Sequence, residues 1–512
     1  MVKTKGKVWL VGAGPGDPGL LTVKGERVLK NADLVLYDNL VGKGIVSLIP
    51  PFAEVLFVGK SAGNHTMPQE AINHILLENA LLGKQVVRLK GGDPFLFGRG
   101  GEELEGLAEA GVAFEVVPGV SSPLAVPTYF GIPVTHRDCC SAVHIITAHG
   151  KAGAKPIEWE ALVRAGGTFI FLMGSAALDE ISVNLIKAGM PKHTQAAILE
   201  RGTTARQKKA LSTLENIVCE AKQAGIAAPA LIIVGEVCAY AHKFSWIEQK
   251  PLRAVRIAVT RPRKRSAALS AALAEAGAEV VEIPVIAMRP RENIPALDRF
   301  FEELRCPSPS EEAKGDGIWL AFTSPWGVEV FFDQLRKKRL DIRALAKIRF
   351  AAIGQTTAAG LEARGIIVDL VPEHFSGADL AQALKDVVKA GECVLLPRSS
   401  IGSEELCVEL GMAGIKYLDI PVYDTVPEHF YNQALGDTLC EDLDWIAFTS
   451  RSTVENFAQI FGCEKMIGKK ALCIGEQTAK AAEEYGMETL IAENATVAAM
   501  IARLEKYVSG GN

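Results

Sequence analysis

The chain has 512 residues, of which 48% are hydrophobic and 22% are charged. This ordinary globular composition excludes a wholly disordered or fibrous protein, and the length predicts three or four domains at about 150 residues each. The formal net charge is −5 at pH 7, so bulk charge does not favour nucleic-acid binding. Apolar runs are no longer than a strand, and no apolar signal core follows the N-terminal lysines, so we expect a cytoplasmic protein without membrane spans.

The ten cysteines have no spacing typical of a metal site or of a disulfide framework. None forms a Cys-x-x-Cys pair, and Cys139 and Cys140 are adjacent. We therefore expect reduced thiols, as in a cytoplasm, and no bound metal.

Short β-branched runs alternate with amphipathic segments in the N-terminal half, at Lys7–Val11, Ala32–Tyr37, Gln85–Leu89 and Phe114–Val117. This alternation predicts an α/β fold with largely parallel strands. A break follows at 246–253, because Pro251 cannot lie inside a helix and a new strand begins at Val255. We place the main domain boundary there.

A glycine-rich turn follows the first strand, and its sequence argues against a dinucleotide-binding loop. Gly12 and Gly14 fit that fingerprint, but Asp17 occupies the third glycine position. Pro15 and Pro18 also interrupt the start of a helix. An NAD-dependent oxidoreductase is therefore a disfavoured alternative.

A second glycine-rich segment, 86–103, runs from a strand into Gly-Gly-Asp-Pro at 91–94 and a further glycine cluster that ends at Gly101. Residues without a β-carbon let a ligand approach the backbone at such a turn. Together with the first turn, Pro118–Ser122 and Gly131–Asp138, this segment resembles the uroporphyrinogen-III C-methyltransferase family of S-adenosylmethionine-dependent tetrapyrrole methylases. The resemblance implies a two-domain α/β methylase that forms a homodimer.

The resemblance extends over the N-terminal half, assigned as 1–248, and implies a cofactor site. In that family S-adenosylmethionine lies folded between two α/β domains. The matching residues of this chain are Pro15, Gly91, Gly92, Asp93, Leu96, Ser121, Ser122, Met173 and Gly202. The Asp93 carboxylate could accept hydrogen bonds from amine or ribose donors. Leu96 and Met173 would supply a flat apolar wall, although either side chain alone would more often belong to a core.

The resemblance also implies an acid–base pair, Asp38 and Lys60. A pyrrole carbon that attacks a sulfonium methyl group must then lose a proton, which suits a carboxylate base and a mobile cation. Alternatively, Asp38 caps a turn and Lys60 only holds an anion. Candidate partners for the carboxylates of the substrate are Arg88, Lys90, Arg99, His136 and Arg137. Any one of these cations could instead form a structural salt bridge.

The second half contains an internal repeat. Trp-Leu-Ala-Phe-Thr-Ser at 319–324 recurs as Trp-Ile-Ala-Phe-Thr-Ser at 445–450, and Ile-Pro-Val at 283–285 recurs at 420–422. The offset is far longer than a solenoid repeat of about 20–50 residues, so it predicts two similar α/β domains that face one another.

Each copy predicts a strand, a polar turn and an amphipathic helix, with helices over 328–335, 356–364, 453–461 and 478–485. Backbone N–H groups and the positive end of the helix dipole are exposed at such N-termini. We therefore expect Thr323, Ser324, Thr449 and Ser450 to bind carboxylates in the gap between the domains. The alternative is that these residues only cap helices.

This half resembles uroporphyrinogen-III synthase in several short motifs. They are Val-Thr-Arg-Pro at 259–262, the repeated Ala-Phe-Thr-Ser, Phe-Ala-Ala-Ile-Gly at 350–354 and Ile-Pro-Val-Tyr-Asp-Thr at 420–425. The resemblance implies a hinged synthase of two α/β domains joined by a two-stranded link.

The resemblance to the synthase also implies a domain layout over 253–507. The first domain would comprise 253–286 plus 424–507, and the second 289–420. A plain tandem split near Ala390, which the repeat alone would suggest, is the competing layout.

The implied synthase reaction cyclises hydroxymethylbilane to uroporphyrinogen III, with inversion of ring D and loss of water. The enzyme would chiefly fold a flexible polycarboxylate into the productive shape. Tyr423, on the link, is the candidate proton donor to the departing hydroxyl, because a phenol with a pKa of about 10 stays protonated at neutral pH. It could instead only pack the hinge. Candidate carboxylate-binding residues are Thr260, Arg261, Thr323, Ser324, Thr449, Ser450 and Thr478.

The two resemblances together predict a bifunctional enzyme of sirohaem or cobalamin synthesis. It would make uroporphyrinogen III and methylate it twice, at C2 and C7, to give precorrin-2. Its expected partners are small tetrapyrroles, with neither nucleic acid nor membrane. Two alternatives stay open: methylation of a later corrin intermediate, and a C-terminal half that only binds a tetrapyrrole without catalysis.

Overall fold

The computed structural model describes residues 6–59, 67–148, 156–305, 317–428 and 433–510. It divides into two compact units. The first unit combines Met1–Val285 with Glu428–Asn512, and the second is Ile286–Pro427. The chain therefore leaves the first unit once and returns to it, and the predicted boundary at 246–253 lies inside the first unit.

The first unit begins with alternating strands and helices. The strands are β1 (Lys7–Gly12), β2 (Leu34–Tyr37), β3 (Glu54–Phe57), β4 (Gln85–Lys90) and β5 (Ala113–Val117). The helices are α1 (Val23–Leu29), α2 (Lys43–Val46), α3 (Gln69–Leu81), α4 (Gly100–Glu109) and α5 (Ser122–Tyr129). The strands form a parallel sheet in the order β3-β2-β4-β1-β5. Every residue of β2 is buried, as expected for a parallel strand covered on both faces.

The next segment of the first unit forms a mixed sheet. Its strands are β6 (Val143–Thr147), β7 (Thr168–Leu172), β8 (Gln195–Glu200), β9 (Lys208–Thr213) and β10 (Ala230–Val234). Its helices are α6 (Trp159–Ala165), α7 (Leu178–Lys187) and α8 (Ile217–Gln223). The order is β6-β7-β10-β8-β9, and only β6 and β7 pair in parallel. The expectation of largely parallel strands is wrong here, because a connection as short as 201–207 between β8 and β9 permits only a hairpin.

The remaining elements follow in chain order. The strands are β11 (Arg256–Val259), β12 (Glu279–Glu282), β13 (Ile286–Pro290), β14 (Ile318–Phe322), β15 (Arg349–Ala352), β16 (Cys393–Ser399), β17 (Lys416–Pro427), β18 (Trp445–Phe448), β19 (Lys470–Cys473) and β20 (Glu488–Ile491). The helices are α9 (Arg263–Glu275), α10 (Pro295–Arg305), α11 (Pro325–Lys337), α12 (Gln355–Glu362), α13 (Gly377–Val387), α14 (Glu405–Met412), α15 (Gln433–Cys440), α16 (Arg451–Phe461), α17 (Glu476–Glu484) and α18 (Val497–Val508). The four helices predicted after the repeated strands all form, as α11, α12, α16 and α17.

Two parallel sheets in this half reproduce the sequence repeat. The first unit contains the order β12-β11-β18-β19-β20, and the second contains β17-β16-β14-β15. The repeated Phe-Thr-Ser sequences therefore occupy equivalent places, at the ends of β14 and β18. These sheets confirm the predicted α/β class.

The long strand β17 determines where the second unit ends. Its first part pairs in parallel with β16, and its last part pairs antiparallel with β13, with Pro290 opposite Tyr423. Arg291 and Asp424 add a two-pronged ion pair at this point, with a shortest distance of 2.7 Å. The structure does not divide near Ala390, because β16 pairs with β14 in the same sheet. Within the described ranges, no helix is both long and apolar enough to cross a bilayer.

Candidate active sites

Three loops meet at the carboxyl edge of the first sheet, after β1, β4 and β5. Gly14 and Gly92 exchange backbone hydrogen bonds of 3.1 and 2.7 Å. A β-carbon on Gly12 would lie 2.4 Å from the nitrogen of Gly119, and one on Gly119 would lie 2.2 Å from the oxygen of Gly92. Because these distances exclude any side chain, glycine is required for the loops to approach. We call Gly12, Gly14, Gly92 and Gly119 the glycine cradle.

One wall of the glycine cradle is open. Gly92 has a φ of +69°, and of the described residues a β-carbon placed on it would approach only the nitrogen of Ser122, at 3.8 Å. Pro15, Leu96 and Ser121 are also half-buried rather than enclosed. A ligand could therefore approach the backbone of Gly92, as the sequence predicts for a cofactor.

Asp93 holds the glycine cradle together. One carboxylate oxygen accepts the N–H groups of Phe95 and Leu96, at 2.9 and 3.3 Å, and the other accepts that of Gly119, at 3.0 Å. Asp93 was expected to accept hydrogen bonds from a ligand, but three backbone donors already use most of its capacity. Its geometry is that of a residue that shapes the loop.

Strained backbone concentrates in the loops of this region. Five of the seven described non-glycine residues with positive φ are Phe97, Arg99, Met173, Arg201 and Thr203. Such conformations cost about 1–3 kcal/mol each and cluster at functional sites. Met173 follows β7 and is 49% exposed, so the apolar side chain predicted to form a wall does not belong to a closed core.

The loop after β1 connects the two sheets of this region. The backbone N–H of Asp17 donates to Thr203, at 3.3 Å, and the hydroxyl of Tyr129 donates to the Asp17 carboxylate. Burial and the hydrogen bond to Asp17 raise the pKa of Tyr129. Gly202, beside Thr203, packs so closely on Val126 that a β-carbon would lie 2.4 Å from a methyl group. The predicted residues Pro15 and Gly202 therefore belong to loops held by one contact network.

Asp38 lies at the carboxyl end of β2 in a cluster of charged side chains. One of its oxygens accepts the N–H of Leu40 at 3.0 Å, and the other accepts a guanidinium N–H of Arg88 at 2.9 Å. Arg88 and Lys90 both donate to one oxygen of Glu103, at 3.3 and 2.8 Å. The Asp38 side chain is 22% exposed, whereas that of Glu103 is fully buried. Asp38 is thus the member of the cluster that solvent or a substrate can reach.

The cluster balances two carboxylates against two cations in a buried setting. Burial lowers the pKa of Lys90, the neighbouring charge of Arg88 adds to this shift, and Glu103 opposes it. The second oxygen of Glu103 has no hydrogen-bond partner in the part of the chain that the structure describes. Glu103 therefore supplies the charge that allows Arg88 and Lys90 to remain buried beside Asp38.

We expect Glu103→Gln to lower the free energy of unfolding by about 3–5 kcal/mol, because it leaves Arg88 and Lys90 with one carboxylate fewer inside the protein. Glu102→Gln is the matched control, since Glu102 pairs with Arg99 at an exposed position and should contribute less than about 1 kcal/mol. Chemical denaturation of both variants measures the difference. Equal stabilities would contradict this account of the cluster.

The structure corrects the expected substrate-binding role of Arg88 and Lys90. Both side chains point into the cluster, and both residues are 4–5% exposed, so neither is available to a substrate carboxylate. Arg99 and Arg137 are exposed, with Arg99 paired to Glu102. The structure brings neither of them into the Asp38 cluster.

His136 lies with its own partners, outside the Asp38 cluster. It accepts the N–H of Asp138 at 3.2 Å and stacks on Tyr240, with 4.4 Å between ring centroids. Lys60, the predicted partner of Asp38, lies outside the described residues.

In the second half, Ser324 and Ser450 occupy the same position in the repeat. Ser324 accepts the N–H of Gly327 at 3.0 Å and caps α11, and Ser450 forms a capping box with Thr453 on α16. Thr323 and Thr449 directly precede these caps and are half-buried. Both serines therefore cap helices, which is the alternative to carboxylate binding given above.

Tyr423 is buried in the sheet of the second unit. It is 5% exposed, and its hydroxyl lies 2.9 Å from that of Ser324. Tyr423 was expected to lie on the link between the domains. In the structure it lies inside the sheet, because β17 continues to Pro427 and Tyr423 is flanked by β13 on one side and β16 on the other. The phenol nevertheless reaches the N-terminus of α11, where Ser324 connects it to the helix cap.

The structure does not support the predicted role of Thr260 in binding substrate carboxylates. It is fully buried, and its hydroxyl donates to the carbonyl of Ala447 at 2.8 Å, joining β11 to β18. Thr478 is 4% exposed within α17, which gives it little access to a ligand. Arg261 lies in the turn after β11 and is half-buried.

Comparisons with known proteins follow the two halves of the chain. Residues 7–218 match the tetrapyrrole (corrin/porphyrin) methylases, and residues 267–502 match uroporphyrinogen-III synthase HemD. The chain is 42% identical over 510 residues to the porphyrin biosynthesis protein HemD of Ruminiclostridium josui, covering 99% of each chain. The chain belongs to this family of fused tetrapyrrole methylases and uroporphyrinogen-III synthases.

Two other relatives are similar to parts of the chain of different length. The uroporphyrinogen-III C-methyltransferase of Bacillus subtilis (strain 168) is 38% identical over 373 residues, which cover 72% of this chain and 74% of that protein. The S-adenosyl-L-methionine-dependent uroporphyrinogen III methyltransferase of Methanosarcina barkeri is 49% identical over 234 residues, which cover 45% of this chain and 92% of that protein. The chain is thus an enzyme of the methyltransferase and synthase families, as predicted.

The geometry of the methylase half fits an S-adenosylmethionine site. The open wall at Gly92 and the exposed Met173 lie on loops that the sequence assigned to this cofactor. Among the described residues, no group of three or more His, Cys, Asp or Glu side chains is arranged to hold a metal ion.

Sequence reasoning missed Glu103 and Tyr129. Glu103 is the last residue of the glycine-rich segment 86–103, and an acidic residue in the first turn of a helix after a glycine cluster is a usable signal. No local pattern connects Tyr129 with Asp17, which lies 112 residues away.

Proposed function

We propose that this chain converts hydroxymethylbilane to uroporphyrinogen III and then methylates that product at C2 and C7 to give precorrin-2. The near full-length relationship to a porphyrin biosynthesis protein, together with the matches of the two halves to two enzyme families, supports both activities in one chain. We place the enzyme in the cytoplasm, acting on small tetrapyrroles and forming a homodimer through its methylase half.

The observation that carries the methylase proposal is the turn of Asp38: Leu40, whose N–H Asp38 accepts, packs on Gly91 so closely that a β-carbon there would lie 2.5 Å from the Leu40 β-carbon, and Gly91 precedes Gly92 of the glycine cradle. Bound S-adenosylmethionine supplies an electrophilic methyl group. The cradle of Gly12, Gly14, Gly92 and Gly119 would hold it by backbone contact, with Pro15, Gly91, Leu96, Ser121, Ser122, Met173 and Gly202 around it. Asp38 would accept the proton that the alkylated ring must lose, and its ion pair with Arg88 and partial exposure support this role.

The methylase proposal is tested by supplying uroporphyrinogen III and a methyl-labelled cofactor to the full chain. We expect two labelled methyl groups per tetrapyrrole by mass spectrometry. A parallel incubation supplies a later corrin intermediate instead. Label on that intermediate, with none on uroporphyrinogen III, would contradict the proposal and support methylation of the later intermediate.

For the synthase half, we propose that the enzyme folds the linear substrate and protonates its departing hydroxyl through Tyr423. Because Tyr423 is 5% exposed, this role requires that substrate binding gives access to its hydroxyl at the N-terminus of α11. The carboxylates of the substrate would contact the helix N-termini that follow Thr323, Ser324, Thr449 and Ser450. The hydrogen bond between Tyr423 and Ser324 supports the proposed donor role, because it fixes the orientation of the phenol.

We expect Tyr423→Phe to slow formation of the III isomer by about 10²-fold or more, because the proton donor is lost. Loss of the hydrogen bond alone would lower stability by about 1 kcal/mol and would leave the rate nearly unchanged. The isomer ratio after incubation with hydroxymethylbilane measures the effect, with denaturation as the control. A wild-type ratio from Tyr423→Phe would rule out the donor role.

A further inference from the structure

The first synthase sheet contacts the methylase region of the same compact unit. Within the described ranges strand β12 is an edge strand, because it pairs only with β11. Helix α2 of the methylase half covers that edge: the hydroxyl of Ser47 accepts the N–H of Glu282 at 3.1 Å. A β-carbon on Gly44 would lie 2.9 Å from the oxygen of Val280, so glycine allows this close approach. Helix α2, which covers this edge, directly follows the loop that carries Asp38.

A second contact involves the loop after β8, which carries Gly202. The backbone N–H of Ala205 donates to Glu279 at 2.9 Å, and Glu279 also pairs with Arg256 at 3.0 Å. The side chains of Glu279 and Arg256 are only 4% and 6% exposed. The neighbouring Arg206 donates to Asp444 and to the carbonyl of Asp442, both at 2.8 Å.

The position of this ion pair separates it from the proposed chemistry of the synthase. Arg256 and Glu279 are the first residues of β11 and β12, so they lie at the amino edge of that parallel sheet. Thr449 and Ser450 follow β18 at the opposite, carboxyl edge. The ion pair at the amino edge is therefore separated from the carboxyl edge, where the synthase substrate is proposed to bind. One oxygen of Glu279 instead accepts the N–H of Ala205 in the methylase loop.

We infer that the first synthase domain positions the methylase site, with Glu279 as the positioning residue that fixes the loop of Gly202. The inference rests on the proposed methylase function. The synthase domain is then a structural component of the methylase site as well as an enzyme in its own right. Affinity for S-adenosylmethionine should accordingly depend on a side chain that does not touch that molecule.

The test compares Glu279→Ala with Glu279→Gln in the full chain. Alanine removes the acceptor for Ala205, and we expect it to raise KM for S-adenosylmethionine on the order of tenfold with little change in kcat. Glutamine keeps an oxygen that can accept this N–H, so it should restore most of the affinity although it also loses the ion pair with Arg256. Conversion of hydroxymethylbilane should remain at the wild-type rate in both.

Asp341→Ala is the control, because Asp341 pairs with Arg343 on an exposed surface of the other unit. If Glu279→Ala does not fold, Arg206→Ala tests the same loop, and a severalfold rise in the same KM is expected. A folded Glu279→Ala with wild-type KM would overturn the inference, as would equal KM values for the alanine and glutamine variants. If the wild-type chain does not methylate uroporphyrinogen III, the proposed function fails instead.

Discussion

Asp38→Asn is expected to reduce methylation of uroporphyrinogen III by about 10²- to 10⁴-fold, the usual contribution of a general base. Asparagine keeps the size of the side chain and an acceptor for Leu40, but it cannot take up the proton. Cyclisation of hydroxymethylbilane should be unaffected, because Asp38 lies in the methylase half. Steady-state kinetics with labelled cofactor measure the first activity, and the isomer assay measures the second.

Asp33→Asn is the matched control for this variant. Asp33 precedes β2, whereas Asp38 follows it, and Asp33 accepts the N–H of Gln85 at 2.7 Å. We expect this variant to methylate at the wild-type rate. If Asp38→Asn also did so, Asp38 would be a turn cap and nothing more.

Gly119→Ala is expected to lower affinity for S-adenosylmethionine by at least about tenfold. The new methyl group would lie 2.2 Å from the oxygen of Gly92 and 2.7 Å from the α-carbon of Gly12. Because both neighbours are backbone atoms, the loops must separate, at a cost of about 1–3 kcal/mol in stability. Calorimetric titration with S-adenosylmethionine measures the affinity, and denaturation measures the stability.

Gly101→Ala provides the control for the change of glycine to alanine. Apart from its own helix backbone, no heavy atom of the described residues would lie within 4 Å of a β-carbon on Gly101, which is in α4. Alanine should favour the helix by up to about 1 kcal/mol and leave cofactor affinity unchanged. Normal binding by Gly119→Ala would show that the glycine cradle does not hold the cofactor.

The sequence predicted features that depend on local backbone requirements. Gly92 has a positive φ, and Gly12 approaches Gly119 too closely for a β-carbon. Because both requirements select glycine, the motifs that contain these residues can be recognised as turns from the sequence alone. The repeat in the second half was equally readable, because each copy carries its own strand, cap and helix, as Ser324 and Ser450 illustrate.

The direction of side chains could not be predicted in the same way. Arg88 belongs to the right motif, but its register in β4 and the position of Glu103 on α4 point it into a buried cluster. Thr260 follows a strand as expected, yet its hydroxyl turns toward the carbonyl of Ala447. These outcomes depend on contacts between residues distant in sequence, which no local pattern encodes.

The synthase sheet and the methylase loops are held together by direct side-chain contacts. Glu279 and Arg206 belong to different halves of the chain, yet both fix the loop after β8. The two enzymes of the fusion are therefore connected by more than a linker.

The most direct test of the whole account is to incubate the purified full chain with hydroxymethylbilane and methyl-labelled S-adenosylmethionine, and to analyse the tetrapyrrole by mass spectrometry after separating its isomers. We predict one main product of the III series that carries two labelled methyl groups. An unlabelled product of the I series, with no measurable binding of S-adenosylmethionine, would contradict the account.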